Sequence, residues 1–188
     1  MKVPFNALTP GEDAGDIKSA IDRVIASGWF VLGPEVEAFE SEFAAASGVN
    51  HAVGVGNGTD AIMLILRGLD IGPGDEVIMP PLSAAFSALA VMMTGARPVF
   101  ADIDPERLTL DPAAAAAAIT PRTRAILPVH LYGQPAEMKP LEALAATSPA
   151  MCPACDRVCS QVVSLPMYPG LSDKAVTAVA EAAETFGG

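Results

Sequence analysis

Residues 51–80, HAVGVGNGTDAIMLILRGLDIGPGDEVIMP, decide the fold. An alternating apolar run at 51–55 reads as a strand, the glycines at 54, 56 and 58 as a tight passage, and 59–68 as an amphipathic helix. A turn rich in glycine and proline follows, and 76–79 reads as a second strand. A strand that leads through glycines into a helix leaves the first backbone N–H groups of that helix without internal acceptors. Such an end holds anions, and the helix dipole favours a dianionic phosphate there. The Thr59 hydroxyl adds a donor. The same string also reads as a plain turn at Asn57 and Gly58 with Thr59 capping the helix.

Outward from this stretch the alternation continues. Helices are expected at 14–27, ended by Gly28, and at 35–47, stopped by Gly48. Further on, helical spacing covers 83–94, 112–119 and 137–146, and strand-like runs cover 98–101 and 125–130. The alanine run 113–118 follows Asp111 and Pro112, a helix start, and reads as a covering helix. This order predicts a parallel sheet covered by helices. After Ala146 the rhythm changes: 147–159 reads as a turn-rich link, 162–165 as a short strand and 172–186 as a final helix capped by Ser172 and Asp173.

Composition narrows the function classes. The 188 residues are 51% hydrophobic and 18% charged, as in a globular chain. A formal charge of -11, without a long basic run, disfavours a nucleic-acid partner. No leader-like start is read, and the most apolar stretch, 84–93, is too short to cross a bilayer, so the expectation is a cytoplasmic protein with no membrane partner. Cys152, Cys155 and Cys159 fall in one short segment, but a structural zinc wants four ligands, and His51 and His130 are remote in sequence. No metal site is assigned. A dinucleotide-binding fold would place a ribose-binding acid at the end of the second strand, whereas Asp75 and Glu76 precede it.

Two other stretches reach the carboxyl ends of strands, where open α/β sheets gather ligands. In 80–86 (PPLSAAF), Ser83 reads either as a site hydroxyl or as a helix N-cap. In 129–133 (VHLYG), His130 is placed near the site without an assigned role.

Taken together, the motifs resemble the DegT/DnrJ/StrS sugar aminotransferases, pyridoxal-phosphate (PLP) enzymes of fold type I. The matching runs are 27–34 (SGWFVLGP) with Glu35 and Glu40, 56–61 (GNGTDA), 72–78 (GPGDEVI), 95–104 (GARPVFADID), 119–123 (ITPRT) and 128–135 (PVHLYGQP). The tail runs 157–159 (RVC) and 164–173 (SLPMYPGLSD) resemble the family's closing segment. The resemblance implies an α/β, three-layer PLP-transferase fragment: the N-terminal part of the large domain over 1–146, then a strand-helix tail of the small domain over 147–188, joined across a large internal deletion near 146/147.

It also implies PLP as cofactor, a nucleotide-linked keto sugar and an amino-acid donor such as glutamate as substrates, and a homodimer. The phosphate cup carries over to Gly58, Thr59 and Asp60, with Ser83 as a nearby hydroxyl. Ala84 stands where many members carry an aromatic residue against the pyridine ring, and Phe86 is close in sequence. Trp29, Phe30 and Gly33 match a loop near the active site and dimer contact. The Schiff-base lysine and the aspartate that pairs with the pyridine nitrogen belong to the segment between the two parts. None of Lys2, Lys18, Lys139 and Lys174 matches that lysine, so no catalytic residue is assigned. Two functions follow: a PLP-dependent nucleotide-sugar aminotransferase by family, or a truncated, non-catalytic remnant that retains phosphate binding.

Overall fold

The computed structural model describes residues 11–147, which divide into two compact units between Gly54 and Val55. The first unit carries two helices, α1 (Ala14–Ser27) and α2 (Pro34–Ala46). Gly28 ends α1 in the left-handed conformation, its N–H reaching the carbonyls of Ile25 and Val24. Pro34 opens α2 at a position where its missing N–H costs nothing. Arg23 on α1 grips Glu35 on α2 through two parallel hydrogen bonds, of which Nη2 to Oε2 measures 2.8 Å. Phe39 and Phe43 pair at 5.6 Å along one face of α2.

The second unit is a parallel sheet between two helical layers. Its described strands are β1 (Glu76–Met79), β2 (Arg97–Phe100) and β3 (Thr123–Ile126), in the order β2-β1-β3. Central β1 is buried along its whole length, as a strand covered on both faces must be. Val77 and Met79 point to one face, where they pack with Leu66 of α3 (Gly58–Gly68) and Val91 of α4 (Ala85–Thr94). Ile78 points to the other, against Ala115 of α5 (Pro112–Ala118) and Leu141 of α6 (Met138–Thr147). The period of two along β1 therefore decides which helices belong to which layer.

Most predicted elements form within a residue or two of their expected bounds, and Asp111 caps α5 by accepting from Ala113 N at 2.9 Å. Two expected strands differ. Residues 51–55 form no ladder, and Val53 stands 78% exposed. A strand is defined by a neighbour, and no described strand lies beside this run. The strand expected at 125–130 pairs only through Ile126, and its last sheet bond is Leu127 N to Ile78 O at 2.7 Å. Beyond it Pro128 has no N–H to continue the ladder. The predicted tail strand and helix, the 147–188 domain and the cysteine cluster lie outside the described residues but for Thr147, the last residue of α6.

Candidate functional site

Both α3 and α4 run antiparallel to the strand beside them and pack on the same face of the sheet. Near their carboxyl ends Arg67 Nη2 donates to Met93 O at 3.1 Å. The helices have 11 and 10 residues, so joining their ends at one side sets their N-termini level at the other, the carboxyl edge of the sheet. Gly58, Thr59 and Asp60 at the start of α3, and Ser83 and Ala84 just before α4, thereby share one edge.

At the start of α3 the cap is Asn57, not Thr59. Its side-chain oxygen accepts from Asp60 N at 3.0 Å, and its amide donates to the Asp60 carboxylate at 2.8 Å. Asp60 thus spends its amide on the cap, which leaves those of Gly58 and Thr59 without an acceptor among the described residues. The hydroxyls of Thr59 and Ser83 likewise have no hydrogen-bond partner among the described residues. Ser83 is not an N-cap: that position belongs to Ala84, which offers no side-chain bond. A Cβ at Gly58 would meet nothing within 4 Å, so a bulky anion can approach the backbone there.

Two free amides and two free hydroxyls suit the phosphate end of PLP. The Asp60 carboxylate in the same turn opposes a dianion, and Asn57 tempers that charge by donating to it. For the ring end, Ala84 and Phe86 are exposed, Phe86 by 63%.

In the first unit, Trp29 Nε1 donates to Val31 O at 2.7 Å and curls the apolar loop on itself. Gly33 lies close beneath it: a Cβ there would stand 3.2 Å from Trp29 O and 3.3 Å from the indole ring, a tight fit that the loop would have to ease. Phe30 is 70% exposed and lines an apolar cleft with Ile21, Val24 and Ile25. Of the described lysines, Lys18 pairs with Asp22 at 2.7 Å on α1 and Lys139 is exposed on α6. No cluster of metal-ligating side chains occurs among the described residues.

Sequence reasoning missed the carboxylate of Glu76. It is buried at the start of β1 and accepts from Arg97 Nη2 at 2.6 Å, Thr120 Oγ1 at 2.7 Å and Arg122 Nε at 2.7 Å. These bonds, first that from Arg97, hold its pKa down at about 2. The group ties β1 to β2 and to the turn before β3 at the amino edge, opposite the phosphate cup. An acidic residue opening a buried strand beside two later arginines was the available signal. His130 accepts from Ala136 N through Nδ1 at 3.0 Å, and partial burial lowers its pKa below the ordinary value.

A parallel α/β sheet with an open helix N-terminus at its carboxyl edge defines an α/β layer of the kind that suits anionic ligands. The chain belongs to the DegT/DnrJ/EryC1/StrS aminotransferase family, whose model matches residues 12–149. It is 53% identical over 146 residues to a dTDP-3-amino-3,4,6-trideoxy-alpha-D-glucose transaminase of Streptomyces venezuelae, covering 77% of this chain and 38% of that protein. It is 50% identical over 130 residues to a UDP-N-acetyl-3-dehydro-alpha-D-glucosamine 3-aminotransferase of Acidithiobacillus ferrooxidans, covering 69% and 35% of the two chains. Among solved structures, S. venezuelae DesV matches with a TM-score of 0.68 at 55% identity over 72% of this chain and 36% of that one. Bacillus subtilis ntda with bound cofactor PMP matches with a TM-score of 0.72 at 38% identity over 77% and 34%. The chain therefore spans under two fifths of the length of these relatives. PLP is the cofactor of the family. No helix among the described residues is long and apolar enough to cross a membrane.

Proposed function

We propose that this sequence records a PLP-dependent aminotransferase of nucleotide-linked sugars, acting in the cytoplasm as a homodimer with glutamate as amino donor. The 188 residues as they stand supply its phosphate-binding layer and complete no turnover alone. The observation that carries this reading is the turn at 56–59, with the free amides of Gly58 and Thr59 at the head of α3. When bound, PLP supplies an electrophilic carbon and an electron sink for moving an amino group.

The chain's own part is to seat and orient. The amides of Gly58 and Thr59 and the hydroxyls of Thr59 and Ser83 fix the phosphate, while Asn57 keeps the α3 end rigid and its Asp60 carboxylate engaged. Ala84 borders the ring end without stacking on it. Trp29, Phe30 and Gly33 belong to a loop suited to substrate or partner contact. No described lysine is assigned to carry the cofactor, consistent with a junction near 146/147 that joins the large domain to the closing segment of the small one.

Titrating the purified chain with PLP tests both halves of the proposal. Binding should appear as a shifted and broadened phosphate resonance, weakened about tenfold by Thr59→Val through loss of one charge-assisted hydrogen bond. Borohydride treatment and mass mapping should find no specifically labelled lysine, and untreated chain with PLP should show no turnover with glutamate; a labelled lysine together with turnover would refute the non-catalytic reading.

A further inference from the structure

Residues 130–136 leave the carboxyl end of β3 and form a loop closed by a side chain. Its first residue, His130, accepts the N–H of Ala136 through Nδ1 at 3.0 Å, and Ala136 is itself buried among the residues that pack α5 and α6 on the sheet. Between these anchors Gln134 N donates to Leu131 O at 2.9 Å, making a tight turn with Tyr132 and Gly133 at its two central positions. Both have positive φ, 55° at Tyr132 and 78° at Gly133. A turn of that kind favours asparagine, aspartate or glycine at its first central position. Here it carries a tyrosine, a strained residue that is 77% exposed. Packing does not explain a large aromatic side chain there, since the residue is mostly exposed. Strain of this kind persists where the surroundings impose it and gathers at ligand sites.

We infer that Tyr132 is a contact for the planar base of the nucleotide-linked substrate, with His130 as the positioning residue that pins its loop. The loop emerges from the sheet edge that also carries the head of α3, so the aromatic face stands at the edge where the phosphate cup opens. The two relatives described above are named for dTDP- and UDP-linked sugars, both of which present a pyrimidine ring that an exposed aromatic residue can stack on. The inference rests on the nucleotide-sugar reading and adds the residue that recognises the base.

The probe is dTDP with the full chain, its affinity read by saturation transfer to the thymine methyl group. Tyr132→Ala and Tyr132→Gly should weaken binding about fivefold or more, the scale of a lost base-aromatic stack, while Tyr132→Phe stays near wild type. Tyr132→Gly should also raise the melting temperature by relieving the turn, which separates lost recognition from lost folding. At the pin, His130→Asn keeps an acceptor for Ala136 N–H and should retain affinity, whereas His130→Ala should lose it. PLP affinity, measured on the same samples, should not respond to the Tyr132 variants. A chain that binds PLP but not dTDP, or whose glycine and alanine variants hold dTDP as wild type does, overturns the role of Tyr132 alone. A chain that binds neither ligand overturns the phosphate reading with it.

Discussion

Glu76 shows how one buried charge is tolerated. Two guanidinium groups and a threonine hydroxyl hold its carboxylate, and the arginine side chains remain 63% exposed, so the positive charges keep most of their hydration. Glu76→Ala should lower stability by about 1–3 kcal/mol, the worth of hydrogen bonds to a charged group, as read from the urea midpoint. The pH dependence follows from the depressed pKa, about 2 in the folded chain against an ordinary 4.5. This stabilisation is fully present above pH about 4.5 and is lost as pH falls from there toward 2. Melting temperature should therefore fall over that window in wild type, and Glu76→Gln should fall less steeply.

Among the elements, α3 and α4 depend on their ends. The Asn57 side chain satisfies Asp60 N and braces the turn that presents the free amides of Gly58 and Thr59. Asn57→Ala should cost about 1 kcal/mol of stability, and phosphate affinity should fall with it. A variant that loses the stability but keeps the affinity would show the cap to be unnecessary for the cup. At the far end of α4, Gly95 has a φ of 88°, and a Cβ there would stand 2.9 Å from Pro73 Cγ. Gly95→Ala should destabilise by about 2–4 kcal/mol, from left-handed strain and the clash combined, in denaturant unfolding.

For the whole molecule, the described sheet has three strands, and the outward edges of β2 and β3 pair with no other described strand. Phe86, Leu89 and Met93 lie on one exposed stripe of α4, and Ile21 and Ile25 on another of α1. Faces of this kind and open strand edges drive association. The purified chain should sediment as concentration-dependent oligomers and bind a hydrophobic dye. A single monomer species with one cooperative melt would contradict this.

The sequence by itself determined the element order, the parallel α/β class and the glycine-rich head of α3, because helix ends and buried strands are written in local chemistry. Pro34, Asp111 and Gly28 mark their boundaries without help from the rest of the chain. The family was legible for a related reason, since its motifs recur in a fixed order along the chain. What only the tertiary structure decided depends on groups distant in sequence. Whether 51–55 forms a strand depends on a neighbour for its backbone. Which amides of α3 stay free was settled by the Asn57 side chain. The Glu76 network draws on residues 21 and 46 positions away, so only packing shows which arginines close on that carboxylate. The strain at Tyr132 likewise became visible only once the His130 ring had closed the loop, because a backbone angle imposed from both ends leaves no mark on the residues themselves.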